Sequence, residues 1–180
     1  MNASAGTMTQ GETGRLRPLV PADAPAIQRL AADKDVSRFT ANIPHPYPEG
    51  AAADFLARAE GLERQGEGRV FAIAGRDGAL IGCAGFETHE DGAIHLGYWL
   101  GSAWWGAGIM TGIVADLVTA AREAFPRRDL AALVCVDNPA SARVLEKNGF
   151  EARGEAVCKA PARCADLAAI RYVLPAGGAS

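Results

Sequence analysis

The hydrophobic pattern of this chain changes period at Leu100, and that change limits the folds open to it. Upstream, Arg69 to Arg76 and Ala79 to Thr88 read as two strands joined by Asp77-Gly78, a dipeptide suited to the left-handed turn of a tight hairpin. Glu90-Asp91-Gly92 turns the chain again into Ala93 to Leu100, so the three strands form an antiparallel meander. Downstream, Ile109, Met110, Ile113, Val114, Leu117, Val118, Ala121 and Phe125 recur at helical spacing and make one apolar stripe. A single stripe is buried only by packing on another element, and the sheet supplies the surface. The chain is therefore expected to be α/β, in the α+β sense of helices laid on a largely antiparallel sheet.

The flanking segments fit this plan. Arg15 to Val20 is a short strand, and Pro21 to Ala26 opens a helix whose apolar positions Ile27 and Leu30 are three apart. Pro44, Pro46 and Pro48 make Asn42 to Gly50 a rigid loop, because each removes a backbone donor and fixes its own φ. A helix follows from Ala51 to about Arg64. Leu130 to Val136 is a continuous apolar run typical of a buried strand. It gives way at Asp137-Asn138-Pro139 to a helix that stops at Asn148-Gly149, where glycine can take the left-handed conformation. Strands near Gly154 to Lys159 and Leu167 to Leu174 complete the sheet. With 180 residues, 49% of them hydrophobic, there is material for one sizeable core. One domain is expected over 15–174, with a loose extension at 1–14 and a loose tail at 175–180, both too small and polar to bury much apolar surface.

Charge and cysteine usage narrow the function. Lys and Arg total 18 against 21 Asp and Glu, a net charge of -3, which leaves no broad basic surface for a phosphate backbone and argues against nucleic acid as partner. A mildly acidic surface suits a cationic partner such as an amine. No apolar run reaches the roughly 20 residues that span a bilayer, so no membrane partner is expected. Cys83, Cys135, Cys158 and Cys164 form no C-x-x-C pair and no zinc-ligand spacing with histidine. No metal is expected, and reduced cysteines without a signal peptide point to a cytoplasmic location.

The most informative stretch runs from Gly97-Tyr98-Trp99-Leu100 through Trp104-Trp105-Gly106-Ala107-Gly108 into Ile109-Met110-Thr111. It leads from a strand through a glycine turn into the amphipathic helix. The first turn of such a helix carries unpaired N–H groups and the positive end of the helix dipole, a ready site for a diphosphate. A dinucleotide-binding motif would need a further G-x-x-G register and a parallel βαβ unit, and neither is present. The Lys-Ser/Thr pair of an ATP-binding P-loop is also missing.

A second motif, Asp137-Asn138-Pro139-Ala140-Ser141-Ala142-Arg143-Val144-Leu145-Glu146-Lys147-Asn148-Gly149-Phe150, lies at a fitting distance downstream. Together the two motifs resemble the GNAT superfamily of N-acetyltransferases, and within it the branch that acetylates the N-terminal amines of ribosomal proteins. The resemblance covers nearly all of Arg15 to Leu174. It implies a mainly antiparallel sheet of about seven strands with helices on both faces. It further implies acetyl-coenzyme A as cosubstrate, its diphosphate held by the amides of Gly106, Ala107, Gly108, Ile109, Met110 and Thr111. Trp99 and Leu100 are expected to pair with the pantetheine arm, and Asn138 to hydrogen-bond it, although Asn138 before Pro139 also suits a helix cap. Ser141 is expected near the sulfur, where its hydroxyl can donate to the leaving thiolate. Homodimers are common among such relatives, so a homodimer is one expectation.

Direct transfer makes three demands: the ammonium must lose a proton, the oxyanion needs donors, and the thiolate gains from protonation. The resemblance implies a backbone N–H near Trp99 for the oxyanion. The chain departs from relatives at the base, carrying His95 where Glu is common. An unperturbed imidazole titrates at about 6.5, well placed to take a proton at neutral pH. Glu87 and a bound water are alternatives. Leu145 stands where many relatives have an acidic Tyr, and Gly112 where many have Glu. Phe39, His45, Tyr47 and Trp104 are candidates to line the acceptor site. The acceptor is a primary amine, a protein N-terminus or a small molecule such as a polyamine, an amino acid or an aminoglycoside. The rival from another class is a module that binds acetyl-coenzyme A as a sensor or scaffold without turnover.

Overall fold

A computed structural model of the protein describes residues 14–160 and 165–177. Seven strands form one sheet in the order β1-β2-β3-β4-β5-β7-β6. They are β1 (Arg15–Pro18), β2 (Gly68–Ala74), β3 (Leu80–Thr88), β4 (Ile94–Leu100), β5 (Leu130–Cys135), β6 (Glu151–Ala160) and β7 (Ala165–Leu174). Every neighbouring pair is antiparallel except β4 and β5, which run parallel. The α-helices among the described residues are α1 (Ala24–Ala31), α2 (Lys34–Ser37), α3 (Ala51–Gln65), α4 (Ile109–Ala124) and α5 (Pro139–Lys147).

The apolar stripe behaves as its spacing predicts. Ile109, Ile113, Val114, Leu117 and Ala121 of α4 are buried against Ile73, Phe86, Ile94 and Leu96 of the sheet, with Leu145 of α5 and Phe150 closing the same core. Each fully buried aliphatic side chain here contributes about 1.5 to 3 kcal/mol. Phe125 ends the helix edge-on to Phe86, ring centres 6.1 Å apart. On the opposite face α1 and α3 cover a smaller cluster of Ile27, Ala52, Ala72, Leu80 and Cys83, joined by Trp99. Successive β4 residues thus serve different layers: Leu96, Tyr98 and Leu100 face α4, while Trp99 faces α1 and α3.

The hairpin at Asp77-Gly78 forms, with Gly78 at φ +82° and Asp77 Oδ1 accepting from the Ala79 N–H at 3.0 Å. Between Ala74 at the end of β2 and Leu80 at the start of β3, the Gly75 N–H donates to the Ala79 carbonyl at 2.9 Å and the Gly78 N–H to the Gly75 carbonyl at 3.0 Å. Two short elements escape the sequence pattern because they are too brief to show a period: α2, capped by Asp33, and a single 3-10 turn at Ser102–Trp104. Strand β6 begins at Glu151, earlier than expected, across a register shift where Gly154 sits at φ +121°.

The expected loose tail is anchored at its start. Arg122 donates to the Leu174 and Pro175 carbonyls, and the Ala176 N–H donates to Asp129 at 2.7 Å. Residues 1–13 of the expected extension, residues 178–180 and Cys164 lie outside the described residues. Cys83, Cys135 and Cys158 are not in disulfides. No helix among the described residues is long and apolar enough to cross a membrane.

Away from the cleft, Arg17 of β1 holds Asp23 in a two-point pair at 2.8 and 2.7 Å, and the Val20 N–H adds a third bond at 2.9 Å. The bonds from Arg17 outweigh burial and hold the Asp23 carboxyl below the usual carboxylate range.

Candidate active site

The parallel pair β4 and β5 is joined only at Ile94 with Leu130 and His95 with Ala131, after which the strands diverge. The remaining main chain of β4 therefore has an unpaired edge. Which residues own that edge follows from strand alternation: the Ile94 N–H donates toward β5, to Asp129 at 2.8 Å, while the Gly101 N–H donates toward β3, to Ile81 at 2.9 Å. With no register break in β4, Leu96, Tyr98 and Leu100 share that side, and because the His95–Ala131 pairing uses the Leu96 N–H, the open edge starts at the Leu96 carbonyl and continues through Tyr98 and Leu100. Trp99, expected to pair with pantetheine, turns its main-chain groups toward β3, opposite Cys83. Leu100 is on the open edge, but its carbonyl already accepts from the Trp105 indole N–H at 2.8 Å.

At the end of this edge lies the glycine turn. Gly106 and Gly108 both have φ of +76°, and a Cβ on either would meet nothing, so backbone conformation rather than crowding demands glycine. Gly108 is the residue before α4 and offers no side-chain cap. The N–H groups of Gly106, Ala107, Gly108, Ile109 and Met110 have no acceptor among the described residues, whereas the Thr111 N–H is bonded to the Gly108 carbonyl at 3.3 Å. Five free donors at the positive end of a 16-residue helix make an anion site.

Across the gap, Asn138 does cap α5, its Oδ1 accepting from the Ser141 N–H at 3.2 Å. The amide nitrogen of the same side chain has no acceptor among the described residues, so capping leaves a donor for a ligand. Ser141 Oγ lies 2.8 Å from the Tyr98 hydroxyl. Burial pushes the Tyr98 hydroxyl up to about 12, against the lowering effect of its bond to Ser141, so it stays protonated at neutral pH. Tyr98 was legible only as part of the Gly97-Tyr98-Trp99 motif. Alternation along β4 marks it as the residue that faces Ser141.

On the other face, His95 is 14% exposed and its Nε2–H donates to Asp91 Oδ2 at 2.9 Å. Arg171 of β7 donates to the same oxygen at 2.8 Å, and the Ala93 N–H donates to Oδ1 at 3.0 Å. Burial would raise the Asp91 carboxyl, but the bonds from His95, Ala93 and Arg171 together hold it well below the usual carboxylate range. The His89 ring stacks on His95 with centres 4.1 Å apart and planes within 16°. The ligand atoms of His89, Asp91 and His95 lie within 4.8 Å of one another, a grouping that could gather a cation. Arg171 opposes this by placing a fixed positive charge on the carboxylate. Glu87 stands opposite His95 in the β3–β4 register.

One cavity of about 1140 Å³ connects these parts, running from Gly106, Gly108 and Thr111 past Asn138 and Ser141 to His95. That exceeds the roughly 300 to 1000 Å³ of a pocket for one small ligand and leaves room for two reactants. Phe39, Tyr47 and Trp104 line it as expected, while His45 is exposed and is not among the lining residues.

A free strand edge leading to a helix N-terminus matches a ligand that has amides at one end and a diphosphate at the other, and the class of protein it defines is a coenzyme A-dependent acyltransferase. Residues 15–151 match the acetyltransferase (GNAT) domain family, and the chain belongs to it. A comparison with curated protein sequences gives no match. Among solved structures the chain is similar to RimL, the ribosomal L7/L12 alpha-N-protein acetyltransferase in complex with coenzyme A, at TM-score 0.76 and 19% identity over 93% of this chain and 97% of that one. It is similar at TM-score 0.75 and 19% identity to the Salmonella typhimurium acetyl transferase that modifies the N-terminal serine of ribosomal protein L7/L12, over 93% and 98% of the two chains. The microcin C7 self-immunity acetyltransferase MccE, in complex with acetyl-CoA and AMP, gives TM-score 0.74 and 15% identity over 92% and 93%.

Proposed function

We propose that this acetyltransferase moves the acetyl group of acetyl-coenzyme A directly to the α-amine of a peptide or protein N-terminus, with His95 as base and Ser141 as donor to the leaving sulfur. The observation that carries the reading is the single cavity in which the open edge of β4, the free N–H groups of the glycine turn and His95 meet.

The diphosphate sits at Gly106 to Met110, and the pantetheine amides pair with the open edge at the Leu96 carbonyl and Tyr98, with the Asn138 amide nitrogen as a further donor. His95 takes a proton from the ammonium, the freed nitrogen attacks the thioester carbonyl, and the carbon–sulfur bond breaks as the amide forms, with the second nitrogen proton passing to the departing sulfur to give the free thiol. An open-edge N–H of β4 faces the oxyanion. The thiolate accepts a hydrogen bond from Ser141 Oγ, whose other neighbour is the protonated Tyr98 hydroxyl. Glu87, opposite His95, offers a carboxylate to the incoming ammonium. The likeness to RimL and to the Salmonella enzyme supports a protein N-terminus as acceptor.

Thiol release measured with a panel of peptides, polyamines, amino acids and aminoglycosides tests this. Release with peptides bearing a free α-amine, and none once that amine is blocked, is the expected result. Release only with small amines overturns the acceptor, and binding without release on every amine overturns the transfer.

A further inference from the structure

Resting on the reading of His95 as the base, we infer that Asp91 is a positioning residue that holds the His95 imidazole in one tautomer and one orientation, and that Arg171 holds Asp91 in turn.

Both carboxylate oxygens of Asp91 are engaged: Oδ1 by the Ala93 N–H, and Oδ2 by His95 Nε2–H and the Arg171 guanidinium. A carboxylate bound on both oxygens has no freedom to rotate and no proton to give. Acting only as acceptor, it requires the His95 proton to be on Nε2, which leaves the lone pair on Nδ1. Nδ1 has no partner among the described residues, and His95 lines the cavity. The stacked His89 ring restrains the imidazole plane from the side, so the base is held at its edge and on its face. A carboxylate that orients a histidine base without itself taking the proton is the logic of the serine hydrolase triad. Here the base stands on β4, and its supports come from the β3–β4 turn, Asp91 and His89, and from β7, Arg171.

The alternative, an ordinary surface ion-pair network, fits the exposure of Asp91 and Arg171, 34% and 36%, and predicts little effect on anything when it is broken. The two readings separate on Asp91→Asn. An asparagine amide can turn its NH2 toward Nε2, which moves the imidazole proton to Nδ1 and removes the lone pair from the reacting side.

The experiment measures kcat and both KM values across pH for the wild type, Asp91→Asn, Asp91→Glu and His95→Ala, with thermal melts to confirm folding, and reads the His95 tautomer by long-range ¹H–¹⁵N correlation. Charged and titratable neighbours of His95 on the packed elements are His89 and Asp91 of the turn, Glu87 of β3 and Arg171 of β7, and they are held constant in every other variant. Asp91→Asn is expected to lower kcat at least about tenfold, within the 10²- to 10⁴-fold that a positioned base supplies, and to leave the KM for acetyl-coenzyme A within about twofold. Its His95 is expected to carry the proton on Nδ1, and Asp91→Glu to restore part of the rate. An Asp91→Asn enzyme with wild-type kcat, pH profile and tautomer overturns the role of Asp91 while a slow His95→Ala leaves the base in place. A His95→Ala enzyme at full rate overturns the base and the role of Asp91 with it.

Discussion

The two ends of the cavity are built from different materials. The end proposed for the coenzyme is main chain: N–H groups of Gly106 to Met110 without an acceptor among the described residues, and the unpaired edge of β4. The end proposed for the acceptor is side chain: His95, Asp91, His89 and Arg171, assembled from β4, the β3–β4 turn and β7. Main-chain donors tolerate substitution wherever the backbone path survives, and fail when a residue cannot adopt its φ. Side-chain constellations survive backbone change and fail with the loss of one functional group. Binding should therefore respond to conformation at one end, and turnover to chemistry at the other.

Removing the base is the harshest test of that division. His95→Ala should lower kcat/KM by about 10²-fold or more while calorimetry finds acetyl-coenzyme A affinity within about twofold. A parallel loss of affinity would break the division, because it would make His95 part of the coenzyme site.

Gly108→Val should act in the opposite sense. A left-handed φ costs an L-residue about 1 to 2 kcal/mol, which corresponds to about five- to thirtyfold weaker coenzyme A binding by calorimetry. Preserved affinity would mean that the turn does not hold the diphosphate.

Ser141 lies between the two ends and sharpens their boundary. Loss of one hydrogen bond to the leaving sulfur is worth about 0.5 to 1.5 kcal/mol, so Ser141→Ala should reduce kcat about two- to twelvefold with coenzyme binding intact. Tyr98→Phe should have a similar effect, and the double variant should cost little more than either alone, since the two hydroxyls act as one donor chain. Additive losses in a double-mutant cycle would separate them.

The smallest effect on catalysis is expected at Asp23, which belongs to neither end. Its carboxyl titrates lower in the folded protein than the unfolded value of about 3.9, so its stabilising contribution is fully present above that value and fades as pH falls through the folded one. Asp23→Asn should leave both kinetic constants unchanged and lower stability at neutral pH by about 3 kcal/mol, with the difference from wild type shrinking on acidification. Urea melts at neutral pH and near pH 3 measure this.

Legibility in the sequence divided along the same line as the site. The glycine turn, the α4 stripe, the Asn138-Pro139 helix start and the Asn148-Gly149 stop were readable because each is a statement about φ, ψ or period within a few residues. Ser141 is proposed from the family resemblance, and His95 from its position in that resemblance together with the chemistry of an imidazole where relatives carry Glu. Asp91 was visible only as a turn residue, because which way its side chain points depends on how the turn folds back on β4, and Arg171 not at all, because its contact with Asp91 spans 80 residues and passes through the insertion of β7 beside β5.

What the sequence determined alone is the local alphabet: which segments are strands, which helix offers its N-terminus, and where glycine must stand, since short-range sterics and hydrophobic period are encoded residue by residue. The tertiary structure decided which edge of β4 lies open, that the glycine turn and His95 share one cavity, and which carboxylate faces His95. Those outcomes depend on strand order and register, and a contact between distant residues exists only once the sheet has brought them side by side.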